Sequence, residues 1–457
     1  MCMLKRWLGR TDAAATVVAD TQRLRRLQWR VFLAITLGYG MFYVCRLSLN
    51  VAKKPLIDQG LFDAAQLGQI GSALFFMYAA GRLFNGAIAD HAHVGRFMAL
   101  GLCVSALAQL FLGTLPAFTI FVMVWGLNGW AQSMGVPASV VAMSRWFAKK
   151  GRGSVYGVWS ISHNIGEAFT FLVTAAVVAQ LGVSAGFEVA GCIGLVAAGL
   201  LLWALLDRPE AHGLMAPREG AEVHESDEAP SRGTEGEVRR AEPAVASSQW
   251  QALRNSRLWW VALASASFYV TRYALTSWGV FFLQESKGYS TIEAAAIVSS
   301  GALAGVVGTF SSGLIADRWF DGHRHRPALL FGLMYVASTA AFLWGPADRL
   351  ADTVAMVSFG IAMGALLAYL GGMIAMDLVD RQAVGFATGI VGMASYLGAG
   401  LQDLSSGALI QAGHTMVNGR SHYDFSAAAL FWVGAAVVAV VLAQCSAPRV
   451  VGATKAK

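Results

Sequence analysis

The sequence predicts an all-α polytopic membrane protein whose helices form two related halves. Three observations carry that prediction. Of 457 residues, 56% are hydrophobic and only 13% are charged, too little charge to cover the surface of a soluble protein of this length. The apolar residues fall in long uncharged runs such as LLFGLMYVASTAAFLWG (329–345) and FSAAALFWVGAAVVAVVLAQ (425–444). About 20 such residues cross a bilayer core as a helix. Finally, motifs of the first half return, in the same order, in the second.

Apolar runs separated by polar breaks give twelve transmembrane spans. In the first half they are 30–50, 67–88, 95–113, 118–142, 153–180 and 186–206. In the second they are 257–283, 293–316, 327–346, 351–376, 384–411 and 425–445. This divides the chain into an N-terminal segment (1–29), a six-helix bundle (30–206), a linker (207–256), a second six-helix bundle (257–446) and a tail (447–457). The linker contains PREGAEVHESDEAPSRGTEGEVRRAEP, which has almost nothing to bury and reads as flexible. The 50 glycines suit close helix contact in lipid. No short apolar core follows the basic MCMLKRWLGR before DTQRLRRLQWR, so the first span is expected to serve as the targeting signal. The five cysteines stand singly without a CxxC spacing and read as small packing residues. No metal or cofactor is expected.

Basic residues set the orientation. With the N-terminus cytoplasmic, the inside segments carry Lys5, Arg6, Arg10, Arg23, Arg25, Arg26 and Arg30, then Arg96, then Arg145, Lys149, Lys150 and Arg152. They also carry the linker arginines and Arg318, Arg324 and Arg326. The opposite loops hold only Lys53, Lys54, Lys287, Arg349 and Arg420. Both termini are therefore expected in the cytoplasm, in a bacterial inner membrane. The net charge of +7 is a topology signal and calls for no nucleic-acid partner.

The repeat begins with FYVCRLSLN (42–50) and FYVTRYALT (268–276). It continues with GAIADHAHVGR (86–96) against GLIADRWFDGHR (313–324), and with GVWSISHNIGEA (157–168) against GIVGMASYLGAG (389–400). Parallel six-helix repeats with substrate at the midplane between them describe the major facilitator architecture. Spans 1 and 7 then face each other across a central cavity, and Arg46 and Arg272 converge there.

Charge inside a membrane is rare and marks substrate pathways or internal pairs. Four positions at depth are cationic or titratable to a cation: Arg46, Arg82, His163 and Arg272. The acidic residues at similar depth are Glu167 and Asp403, so positive charge is left over and an anion would relieve it. Guanidinium suits phosphate because its planar fork gives two parallel hydrogen bonds and it does not escape burial by deprotonating. His163 adds a donor. Glu167, four residues on, shares its helix face. Tyr39, Tyr43, Tyr78, Trp159, Tyr269, Tyr273 and Tyr396 lie on the same helices and would contact an organic group. At the cytoplasmic ends, Gly86 with Asp90, and Gly313 with Asp317 and Arg318, form two matched turns. There glycine allows close contact and aspartate pairs with arginine or a helix N-terminus, so that the turns would latch one conformation.

With these residues in view, the chain resembles the organophosphate:phosphate antiporters, which include glycerol-3-phosphate, hexose-phosphate and phosphoglycerate transporters. GYGMFYVCR is similar to that family's first helix, RWFAKKGRGSVYGVWSISHNIG (145–166) to its fourth-to-fifth loop and W-x-x-x-H-N-x-G, and VTRYALTSWGVFFLQE (270–285) to its seventh helix. AMDLVDRQAVGFATGIVGMASYLG (375–398) is similar to the eleventh. The resemblance implies that Arg46 and Arg272 ligate the phosphoryl group, assisted by His163 and by Arg82 at a position usually lysine. It also implies exchange of a phosphorylated metabolite for inorganic phosphate by alternating access; a monomer is expected. The sequence departs from the family at Leu47, where lysine is usual, at Ser277, often acidic in glycerol-3-phosphate carriers, and at Glu167, where a small residue is common. Two other readings stay open: a hexose-phosphate membrane sensor of the same fold, and a proton-coupled organic-anion facilitator with Glu167 as proton carrier. No cluster fit for enzyme catalysis is present in the sequence.

Overall fold

The computed structural model describes residues 20–115, 117–215, 249–320, 323–379, 383–417 and 420–447. Most of the expected N-terminal segment, linker and tail lies outside the described residues. The first half comprises α1 (Thr21–Asp58), α2 (Ala64–His91), α3 (Val94–Leu112), α4 (Phe118–Gln132), α5 (Gly135–Trp146), α6 (Lys149–Leu181) and α7 (Val183–Ala204). The second comprises α8 (Ser256–Ser286), α9 (Thr291–Trp319), α10 (His325–Trp344) and α11 (Arg349–Ala368). It continues through a π-helical turn (Tyr369–Met373) into α12 (Ile374–Asp377), then α13 (Val384–Ala412), β1 (His414–Val417), β2 (Arg420–Tyr423) and α14 (Ser426–Cys445).

Local chemistry explains the helix starts. Asp20 caps α1 by accepting from the Arg23 amide at 2.9 Å. Asp63 with Gln66 and Ser290 with Glu293 form capping boxes on α2 and α9, satisfying amides that have no intrahelical partner. The spans differ from expectation in three ways. α1 runs to Asp58, so Lys53 and Lys54, expected in a loop, are helical. The fourth span is broken at Ser133 and Met134 into α4 and α5. An antiparallel two-stranded hairpin, β1 with β2, stands between α13 and α14.

Among the described residues, nine helical segments are long and apolar enough to cross a membrane. α2 and α8, which carry Arg82 and Arg272, fall outside that set. A helix facing a polar cavity between halves need not be as apolar as one wrapped by lipid.

Across the halves α2 packs on α13, α6 on α9 and α1 on α8. We call the end of the bundle that carries Thr21 and Cys445 the terminal side, and the end that carries β1 and β2 the hairpin side. Contacts between halves concentrate toward the hairpin side. A Cβ on Gly68 would sit 2.5 Å from the Asp403 carbonyl oxygen, and one on Gly407 2.5 Å from that of Ala64. On the terminal-side ends of the same helices, Gly86, Gly385 and Gly389 have nothing within 4 Å of an added Cβ among the described residues. Gly313 on α9 and Gly153 and Gly157 on α6 are equally free. The halves meet on the hairpin side and part on the terminal side.

Candidate functional site

Arg46 sits at the middle of α1, on a backbone that three side-chain amides fix in place. The Cys45 carbonyl accepts from Gln109 Nε2 at 2.5 Å and from Asn128 Nδ2 at 2.8 Å, and the Phe42 carbonyl accepts from Gln132 Nε2 at 3.0 Å. These amides come from α3 and α4. The Arg46 guanidinium lies 4.4 Å from the ring centre of Tyr78 and 5.1 Å from that of Tyr43. Arg272, on α8, lies 5.3 Å from Tyr273 and 5.4 Å from Tyr269. Cation–π contact of this kind stabilises a buried guanidinium without consuming its N–H donors.

The two arginines are joined by a chain of rings across the halves. Tyr78 lies 4.3 Å from Tyr396 on α13, and Tyr396 lies 5.5 Å from Tyr269 and 6.5 Å from Tyr273. Arg82, one turn from Tyr78 on α2, reaches across to α13, 5.7 Å from the Tyr396 ring centre and against Gly392. Tyr39 lies 5.8 Å from Tyr43 and 4.9 Å from Trp159, and Tyr43 lies 5.9 Å from His163. α6 is close enough to supply these residues because Gly40 and Gly166 meet backbone to backbone. A Cβ on Gly166 would sit 2.4 Å from the Gly40 carbonyl oxygen, a use for glycine that helix contacts in lipid exploit.

Several buried polar groups on α1 and α6 lack partners. Arg46 Nε and Nη1, Trp159 Nε1, Ser162 Oγ, His163 Nε2 and both side-chain polar atoms of Asn164 are buried without a hydrogen-bond partner among the described residues. An unpaired buried polar group costs about 1–3 kcal/mol, and such groups are rare singly. Here they cluster on neighbouring helices. Glu167 is buried too, its Oε1 3.3 Å from the Thr276 hydroxyl, which also lies 3.0 Å from the Arg272 carbonyl oxygen.

The Major Facilitator Superfamily pattern matches residues 32–402. The chain belongs to the major facilitator superfamily. A probable hexose phosphate transport protein of Chlamydia trachomatis is 31% identical over 388 residues, 84% of this chain and 85% of that protein. The membrane sensor protein UhpC of Escherichia coli is 28% identical over 398 residues, 86% of this chain and 89% of its own. A bacterial homologue of the human lysosomal transporter Spinster, crystallised inward-facing and occupied, superposes with a TM-score of 0.68 over 91% of this chain and 95% of its own. At 16% identity that likeness concerns the fold alone.

A second set of buried polar groups ties the halves together on the hairpin side. Lys53, expected in an outer loop, is wholly buried. Its Nζ lies 3.2 Å from Asp403 Oδ1 and 2.7 Å from Ser277 Oγ, while Ser277 Oγ and Trp278 Nε1 donate to the same carboxylate oxygen at 2.9 and 2.6 Å. The ammonium also lies 3.4 Å from the Trp278 ring centre. One signal was present: Lys53 follows Arg46 by seven residues, two helical turns, and so shares its face. Beside it Lys54 pairs with Glu285 at 2.9 Å, and Asn50 Nδ2 donates to the Thr276 carbonyl at 3.2 Å.

The matched turns lie apart from these ties. Gly86, Asp90, Gly313, Asp317 and Arg318 are all at terminal-side helix ends, with Asp90, Asp317 and Arg318 exposed. The Asp90 carbonyl accepts from Arg145 Nη2 at 3.1 Å. The close helix contact expected at Gly86 and Gly313 is absent among the described residues, because the halves have separated there.

Proposed function

We propose that this protein exchanges a phosphorylated metabolite for inorganic phosphate across a bacterial inner membrane, with both termini cytoplasmic and the monomer as the working unit. The set of buried, unpartnered polar groups on α1 and α6, with the Arg46 and His163 donors among them, is the observation that carries this reading. A phosphoryl group brings several acceptor oxygens and the negative charge that two guanidiniums lack. Arg46 from one half and Arg272 from the other would share it, with His163, Asn164 and Arg82 within the same enclosure. Tyr39, Tyr43, Tyr273, Tyr396 and Trp159 would line the organic moiety, and Glu167 with Thr276 would accept from its hydroxyls. A ligand bridging both halves favours whichever conformation brings them together, and so drives alternating access. The open terminal side would then be the cytoplasmic mouth, which Gly86, Asp90, Gly313, Asp317 and Arg318 approach when it closes.

The test is uptake of labelled phosphate into proteoliposomes preloaded with phosphate, competed by glycerol-3-phosphate, glucose-6-phosphate and 3-phosphoglycerate in turn. Saturable exchange suppressed by one of them supports the reading and names the substrate. Arg46→Lys and Arg272→Lys are each expected to lower exchange at least a hundredfold, since charge stays but the fork is lost. Full exchange in either variant would falsify the assignment. The likeness to a membrane sensor favours one second reading, ligand binding without turnover. Thermal protection by an organophosphate in a protein that exchanges nothing would establish it.

A further inference from the structure

A groove of about 390 Å³ runs down the outer face of the first half between α1 and α7. Leu33, Leu37 and Met41 on α1 and Leu200, Trp203 and Ala204 on α7 line it. Its floor is tight, since a Cβ on Gly38 would meet Leu201 Cδ2 at 2.5 Å. At its terminal-side end stands Arg30, which donates through Nη2 to the Trp203 carbonyl and lies 4.7 Å from that residue's ring centre. The Arg30 Nε is buried and has no partner among the described residues.

Dimensions and charge fix what fits. From Arg30 to Met41 a helix rises about 16 Å, half of the ~30 Å hydrocarbon core, so the groove is as long as one leaflet. Trp29 and Trp203 are largely exposed beside Arg30, where indoles mark the boundary of headgroup and hydrocarbon. Arg23 and Arg26 precede Arg30 by two turns and one, on the same face of α1. An apolar trough one leaflet deep, ending in a cluster of guanidiniums at headgroup level, is complementary to a two-part ligand with an acyl chain and an anionic phosphodiester.

We propose that the α1–α7 groove is a binding site for an acidic phospholipid of the terminal-side leaflet, its acyl chain in the trough and its phosphodiester on Arg30. This is separate from the central cavity and does not depend on what that cavity carries. Delipidated full-length protein would be titrated with dioleoyl phosphatidylglycerol and with dioleoyl phosphatidylcholine and read by native mass spectrometry. The wild-type protein is expected to retain phosphatidylglycerol at least tenfold more tightly. Arg30→Gln should reduce that binding to the phosphatidylcholine level, and Ala204→Phe, which fills the trough and leaves the charge, should weaken it as well. Equal retention of the two lipids by the wild type would overturn the site, as would retention unchanged in both variants. A lipid-free dimer occluding this face would also overturn it. If Arg30→Gln does not fold, the wild-type preference and the Ala204→Phe loss still decide.

Discussion

α2 and α13 touch at one end and not at the other, and the two ends are built differently. On the hairpin side the halves are joined by the Lys53–Asp403 pair with its Ser277 and Trp278 donors, by Lys54–Glu285, by Asn50 to the Thr276 carbonyl and by the Ala64 amide to Gln411 Oε1 at 3.1 Å. Glycines let the backbones meet between these ties. On the terminal side the same two helices offer glycines with nothing opposite them, and Arg82 against Gly392 and Tyr396 is the crossing contact nearest that opening. Closure on the hairpin side therefore rests on charge, hydrogen bonding and close backbone contact, and the terminal side presents small residues with open space in front of them.

The contrast is most easily broken at Lys53. Lys53→Met leaves the Asp403 carboxylate buried with only its Ser277 and Trp278 donors, a change that costs about 3–5 kcal/mol. Backbone hydrogen exchange over residues 64–76 and 400–411 should rise by orders of magnitude, and Lys53→Met with Asp403→Leu should restore most of the protection. Unchanged exchange in the single variant would show that the pair does not hold the hairpin side shut.

Glycine substitutions sharpen the contrast at a smaller scale. Gly68→Ala or Gly407→Ala forces a Cβ to within 2.5 Å of a backbone oxygen and should cost about 1–3 kcal/mol, visible as a lower Tm. Gly86→Ala and Gly313→Ala should leave Tm the same or raise it, since alanine favours helix by up to about 1 kcal/mol. Equal losses at both ends would mean that the terminal side is not open.

Lys54→Gln tests the outermost tie. Its partner Glu285 is partly buried and the Lys54 side chain is a quarter exposed, so the effect should be no more than about 1 kcal/mol and should shrink in salt. The smallest effect expected is at Asp424, in the turn after β2. The Ser426 hydroxyl and amide donate to it at 2.6 and 2.8 Å and hold its pKa below the ordinary 3.8. A lowered carboxylate stabilises the fold fully above pH 3.8, and that contribution is lost as pH falls through the folded value. Exchange at the start of α14 should therefore show a small acid-side step that Asp424→Asn removes.

The all-helical membrane fold was legible because hydropathy and the internal repeat report it directly, and the same repeat singled out Arg46 and Arg272 as matched positions. Lys53 was misplaced because a lysine near the end of an apolar run looks like a loop residue, and its partner Asp403 is 350 residues away in sequence. The break at Ser133 was hidden for a related reason: apolar residues continue through it, and hydropathy measures composition, not hydrogen bonding. Gly86 and Gly313 were read as contact residues from their type. Whether a small residue is in contact depends on which way the halves lean, and sequence carries no record of that.

The amides of Gln109, Asn128 and Gln132 have a kinetic side. Fixing a residue's backbone costs about 1–2 kcal/mol of conformational entropy. In α1 around Arg46 that ordering takes place once, when the chain folds, instead of at each encounter with a solute. Under the proposed exchange, an arriving anion would meet a guanidinium already mounted on a stiff platform, and less of its binding energy would go into ordering α1. α8 is tied in its turn around Arg272, where the Phe268 carbonyl accepts from the Tyr335 hydroxyl at 3.1 Å and Thr271 Oγ1 donates to the Trp432 carbonyl at 2.7 Å.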